Sequence, residues 1–257
     1  MSNITEASIS KAIVDRYHQK LFCQINSDVV VVGAGPSGLT AALYLASAGR
    51  NVTVLEKRLA PEGGMWGGAM GMNDVVVQQE AIPVLDTARV RHGFGQERLY
   101  VVDAAELACA LCLEAIRRGA TLLNLMTLED VCLHRGRVTG VVINRTGIAG
   151  VLPVDPLVLT AKVVIDATGH EAVVVDRLRS RGLLHPGAEQ GTAGEGPMDA
   201  AAGEAFVVDR VAEVYPGVWV TGMAVSATFG GPRMGPIFGG MLLSGKKVAE
   251  LIRKAWT

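Results

Sequence analysis

Residues 28–57 read DVVVVGAGPSGLTAALYLASAGRNVTVLEK. The run VVVVG is continuously apolar, as a parallel strand buried on both faces should be. Glycines follow at Gly33, Gly35 and Gly38 in GxGxxG spacing, then a helical stretch that Gly49 stops, then a second strand, NVTVLE, ending on Glu56. This is one βαβ unit. Gly33 permits the tight turn, Gly35 lets backbone N–H groups reach a pyrophosphate, and Gly38 lets helix and strand pack closely. The helix N-terminus adds its positive dipole end. Glu56 stands 18 residues after Gly38, where a carboxylate accepts bonds from ribose hydroxyls. The unit therefore predicts an adenine dinucleotide, NAD or FAD. Glu56 disfavours a 2′-phosphate, although Lys57 and Arg58 come next and soften that preference.

Working outward, residues 4–22 (ITEASISKAIVDRYHQKLF) predict an amphipathic leading helix. Residues 60–74, APEGGMWGGAMGMND, are too glycine-rich for a regular element and suit backbone that approaches a ligand closely. A helix is expected near 103–118 and ends at Gly119; successive strands with a tight turn at Arg135-Gly136-Arg137 follow. Residues 182–197, GLLHPGAEQGTAGEGP, read as a mobile loop. From Gly217 onward the order is strand, long glycine loop, closing helix. There is no internal repeat and no linker, so residues 1–257 are expected to form a single interleaved α/β domain.

The 257 residues suffice for a sizeable core. A formal net charge of −1 gives no basic footprint for nucleic acid, and no apolar run is long enough to span a membrane. The absence of a signal-peptide pattern predicts a cytoplasmic protein. Of the four cysteines, Cys109 and Cys112 have CxxC spacing but lie in ELACALCLEAI, whose apolar period predicts core-facing helix thiols.

Residues 150–170, GVLPVDPLVLTAKVVIDATGH, hold the sharper question. Asp155 in a Pro-flanked turn and His170 after a β-branched run are ligand and acid/base types. They are equally a turn and a strand end. Two ligands are too few for a tight metal site, so a full set would need substrate atoms, water or another subunit. The intervening segment is either two short strands or one long one. Arg233, in FGGPRMGPIFGG, offers a planar fork for a carboxylate or phosphate. The strand VVIDATG, residues 163–169, also occurs in similar form in two-dinucleotide flavoproteins, so an FAD oxidoreductase competes, against the small room left for a substrate lobe.

With GAGPSGL, LEKR, GGMWGGAM, VDPL, DATGH, EGPM, YPGVWVTGMA and FGGPRMGP all present, the chain resembles the thiazole synthases of thiamin biosynthesis almost end to end, in particular their archaeal and bacterial sulfide-using branch. The resemblance implies a Rossmann-like fold of the FAD/NAD-binding, glutathione-reductase-like type. It implies a transferase that consumes NAD, joining it with glycine and sulfide into an ADP-linked thiazole carboxylate, with Fe(II) as metal. Nicotinamide leaves, the opened ribose tautomerises and condenses with glycine, sulfur adds, and the ring closes with loss of water. Gly33, Gly35, Ser37, Gly38, Glu56, Lys57 and Gly64 would hold the ADP-ribose part; Leu128 would touch adenine, and Met223 would complete the pocket. Pro153, Val154 and Asp155 would belong to the same substrate- and NAD-binding set. Arg233 would hold the glycine carboxylate. Asp155 and His170 would bind the metal, the aspartate coming from a neighbouring subunit of a homo-octamer. One branch of the family carries a sulfur-donating cysteine at position 153 and the sulfide-using branch typically a histidine. This chain has Pro153, with neither thiol nor imidazole, so sulfur must come from free sulfide or another low-mass donor. Alternatives on the same scaffold are a ribose 1,5-bisphosphate isomerase relative and a non-catalytic NAD-binding protein.

Overall fold

The computed structural model describes residues 4–184 and 194–256. Helix α1 (Glu6–Gln24) begins at Thr5, whose hydroxyl accepts from the Ser8 amide at 3.2 Å while the Thr5 amide donates to the Ser8 hydroxyl at 3.1 Å. Strand β1 (Asn26–Val32), helix α2 (Pro36–Ser47) and strand β2 (Val52–Glu56) form the expected βαβ unit. Pro36 sits in the first turn of α2, where its missing N–H would have had no intrahelical partner. An antiparallel meander follows, from β3 (Asp74–Gln78), β4 (Gly93–Phe94) and β5 (Leu99–Asp103), with α3 (Ile82–Ala88) inserted. Helix α4 (Ala104–Arg117) is capped by Asp103, which accepts from the Glu106 amide at 2.7 Å. Next come β6 (Thr121–Asn124), β7 (Met126–His134) and β8 (Arg137–Arg145). The β7–β8 turn has positive φ at both Arg135 and Gly136, the hairpin geometry that matches strand twist. The chain continues through β9 (Leu157–Asp166), α5 (Val173–Ser180), β10 (Gly196–Met198), α6 (Ala200–Asp209), β11 (Ala212–Tyr215), β12 (Val218–Val220), α7 (Met223–Phe229), β13 (Pro232–Arg233) and α8 (Gly239–Ala255).

The main sheet runs β11-β12-β9-β1-β2-β6, with β8 pairing antiparallel along the first part of β9 and β7 on β8. Strands β12, β9, β1, β2 and β6 are parallel. A parallel sheet needs both faces covered, and β1 shows how. Val29 and Val31 join one core with residues of α2, α4 and α8, whereas Val30 and Val32 join a second core with β8, β9 and α5. The two-residue period of a strand splits the valines between the faces.

Several expectations are corrected. Cys109 is exposed and Cys112 only half-buried, not core-facing. The stripe that α4 buries is Ala104, Leu107, Ala108, Leu111 and Ala115, and Cys109 lies off it. Leu113 and Ile116 are exposed as well, so the helix is apolar around most of its circumference and its spacing admits more than one stripe. Burial still pushes the Cys112 thiol up, with the nearby Glu62 adding to it. The long terminal glycine loop contains a helix, α7. Of the stretch read as mobile, residues 185–193 lie outside the described residues, and residues 196–198 are strand β10. Helix α1 leaves Ile9, Ile13, Val14 and Phe22 exposed, while Tyr17 and Leu21 pack, partly buried, against the second core.

Glu204 on α6 holds the start of α8: its Oε2 accepts from the Gly240 amide at 2.5 Å. Burial pushes this carboxyl to about 7 from an ordinary 4.5, with the Gly240 amide and the Gln78 side chain pulling the other way. A folded-state pKa above the unfolded one means stability is fully present below about 4.5 and is lost as pH rises through about 7. At pH 8 the loss amounts to roughly 3 kcal/mol. In paired denaturant titrations, Glu204→Gln should therefore gain on the wild type between pH 5 and pH 8 by about that amount. A stability difference independent of pH would contradict the assignment.

Candidate active site

Register brings the carboxyl ends of the parallel strands together. Val32 of β1 pairs with Leu55 of β2 and Asp166 of β9, and Asp166 pairs with Val220 of β12. The chain segments leaving these strands surround a cavity of about 860 Å³. Open α/β sheets bind ligands in this crevice.

The first glycine loop forms one wall. Gly33 has φ +100°, and a Cβ there would collide with the Ala167 carbonyl oxygen. Gly38 does not line the cavity; a Cβ on it would strike the Gly33 carbonyl oxygen, so its absence lets α2 sit against the turn. Gly35 lines the cavity and has nothing within 4 Å of an added Cβ, so the space is open to a ligand. Glu56 is buried and held from both sides: Oε2 accepts from the Ala34 amide at 3.1 Å and Oε1 from the Arg58 amide at 2.8 Å. The second glycine loop docks on the first through the Glu62 amide, 2.6 Å from the Ala34 carbonyl, which brings Gly63 and Gly64 to the wall. The Glu62 carboxyl is fully buried with no partner among the described residues; burial, and secondarily the charge of Glu56, push its pKa well up. Ser37, Leu128 and Met223 also line the cavity. So does Lys57, which is paired with Glu171 at 2.7 Å. Both are well exposed, a setting in which an ion pair is worth about 0–1 kcal/mol and yields readily to an anionic ligand.

The corner after β9, packed against the first glycine loop, is organised by Asp166. Its Oδ1 accepts from the Thr168 amide at 3.0 Å and the Thr168 hydroxyl at 2.7 Å, and its Oδ2 accepts from the Val174 and Val175 amides at 2.9 and 3.1 Å. Burial pushes the carboxyl up, and these four bonds act against it. Asp166 thus caps α5 and fixes the corner that presents His170. The Nδ1–H of His170 donates to Glu195 Oε1 at 2.6 Å, and Glu195 Oε2 lies 3.5 Å from Arg233 Nε. His170 and Arg233 line the cavity. Sequence reasoning assigned nothing to Glu195; its only trace there was the motif EGPM. Arg177, on α5, is a further lining cation that was missed.

Pro153, Val154 and Asp155 do not line this cavity. The segment between Asp155 and His170 is one strand, β9, of ten residues, which spans roughly 33 Å. Asp155 precedes it and His170 follows it, so in one chain the two stand at opposite ends. Among the described residues no group of three or more His, Cys, Asp or Glu side chains is placed to hold a metal. His170 alone fits a metal position: its Nδ1 is bonded to a carboxylate, which directs Nε2 outward as a donor.

The family model described as the Thi4 family matches residues 10–238. The chain is 47% identical over 251 residues to a thiamine thiazole synthase of Thermococcus kodakarensis, covering 97% of this chain and 98% of the relative. It is 46% identical to a thiamine thiazole synthase of Thermotoga maritima, covering 97% and 98%. The crystal structure of THI4 from Thermovibrio ammonificans superimposes with a TM-score of 0.94 at 44% identity, covering 99% of each chain. On the family match, the identity across nearly the whole length and the superposition, this chain belongs to the Thi4 family.

Proposed function

We propose that the cavity makes the thiazole of thiamin from NAD, glycine and sulfide, releasing nicotinamide and yielding an ADP-linked thiazole carboxylate. Family membership supports the reaction class. The observation that carries the substrate assignment is continuity: one cavity runs from the dinucleotide loop to His170 and Arg233. The amides of Gly35 and Ser37 and the α2 N-terminus suit a diphosphate. Glu56, held by two backbone amides, is oriented to accept from ribose hydroxyls, and Lys57 is available to the phosphates once it leaves Glu171. Leu128 packs at adenine, and Arg233 receives the glycine carboxylate as a planar fork.

A bound Fe(II) would supply a meeting point for sulfide and the substrate's donor atoms. His170 of one copy and Asp155 of a neighbour would hold it. Pro153 carries no thiol, so sulfur enters from solution. The length of β9 supports a site shared between copies of a homo-oligomer, which we propose is an octamer. The loop bearing Asp155 exposes Val151, Leu152 and Val154, an apolar surface suited to a neighbouring copy. A cytoplasmic location belongs to the same proposal. No helix among the described residues is long and apolar enough to cross a membrane, and all four cysteines are free, as suits a reducing compartment. Anaerobic incubation with NAD, glycine, sulfide and Fe(II) should yield the adenylated thiazole by mass spectrometry. A protein that retains stoichiometric flavin and yields no thiazole would contradict the assignment.

A further inference from the structure

We infer that Glu195 is a positioning residue that sets His170 and Arg233 together, an inference that rests on the roles proposed above for those two residues. His170 and Arg233 arise from different parts of the fold, the corner after β9 and strand β13. Their side chains are 59% and 56% exposed. Side chains so exposed retain several rotamers unless something holds them. The Glu195 side chain is 12% exposed and spends one oxygen on each: Oε1 at 2.6 Å from His170 Nδ1 and Oε2 at 3.5 Å from Arg233 Nε.

The backbone around the glutamate is itself fixed. Strand β10 pairs in parallel with β13; the Gly196 amide donates to the Gly231 carbonyl at 2.8 Å, and the Asp199 amide to the Arg233 carbonyl at 3.0 Å. Glu195 therefore starts from a strand tied to the strand that carries Arg233. Its two contacts have distinct consequences. A carboxylate on Nδ1–H fixes the imidazole tautomer and turns Nε2 into the donor nitrogen. A carboxylate on the Nε side of the guanidinium leaves the two terminal nitrogens to grip a second carboxylate, that of glycine. One side chain thereby sets the metal donor and the amino-acid grip in a common frame. The contact to Arg233 is the looser of the two, so the histidine is held more tightly.

The test uses the metal-stripped protein in its native assembly, titrated with Co(II) and followed by its visible absorption, alongside separate steady-state KM values for glycine and NAD. Glu195→Ala should weaken Co(II) binding about 10–100-fold and raise the KM for glycine about tenfold, the scale of one charge-assisted hydrogen bond. The KM for NAD and the unfolding midpoint should stay at wild-type values. Glu195→Gln keeps an acceptor for Nδ1–H but loses the charge, so it should restore most of the Co(II) affinity while the glycine KM stays raised. Co(II) affinity and glycine KM unchanged in Glu195→Ala would overturn the inference. So would a fall in NAD affinity and unfolding midpoint in step with the other losses in both variants, which would mark a purely structural role. Failure of the wild type itself to take Co(II) would overturn the metal assignment, and the histidine half of the inference with it.

Discussion

Replacing either His170 or Asp155 by alanine should lower thiazole formation about 10³-fold, the rate equivalent of several kcal/mol of lost transition-state stabilisation. NAD should still bind, because the glycine loop and Glu56, proposed to hold its ADP-ribose part, are left intact. Mixing the two variants separates a shared site from one within a chain. The ten residues of β9 keep Asp155 and His170 of one copy at opposite ends of a strand, so on the proposed shared site an intact pair takes one residue from each of two copies. Random co-assembly of the two inactive variants should then restore about a quarter of wild-type activity. No recovery in verified mixed oligomers would contradict the shared site.

The second large effect is on folding. Gly33→Ala places a side chain at φ +100° and drives its Cβ into the Ala167 carbonyl. Strained backbone and overpacking together cost roughly 2–6 kcal/mol, which should lower the unfolding midpoint by about 10 °C for a chain of this size. Gly35→Ala is the contrasting case. Its Cβ meets nothing within 4 Å, so the midpoint should stay near the wild type while NAD affinity falls about tenfold, as expected where a methyl group occupies the space a ligand backbone contact needs. Calorimetry of both variants and NAD titration of the second check this pair. The reverse order of stabilities would contradict the account of the loop.

These two glycines also show what was legible beforehand. Their separate roles, turn and close approach, follow from spacing alone, because a strand, a turn and a helix in 30 residues leave little freedom. The β7–β8 hairpin was equally plain from Arg135-Gly136 between two apolar runs. Helix α7 was not, because MAVSATF is short, built largely of small residues and held by tertiary burial on most sides. The orientation of α4 was misjudged at Cys109 because its apolar residues surround the helix. Glu195 was invisible for another reason. It lies in a glycine-rich stretch without periodicity, and its partners are 25 and 38 residues away. The sequence also left open whether Asp155 and His170 are separated by one strand or two; the structure shows the single strand β9.

The central claim is that this chain makes thiazole repeatedly with sulfur from outside. Pro153 removes a thiol donor at that position, and none of the four cysteines lines the cavity. The direct measurement is the intact mass of the protein before and after anaerobic reaction with NAD, glycine, sulfide and Fe(II), with product counted per chain. The account predicts many products per chain and an unchanged protein mass. A loss equal to one H₂S per chain, with product capped at one per chain, would show that a cysteine of the protein supplies the sulfur and would contradict it.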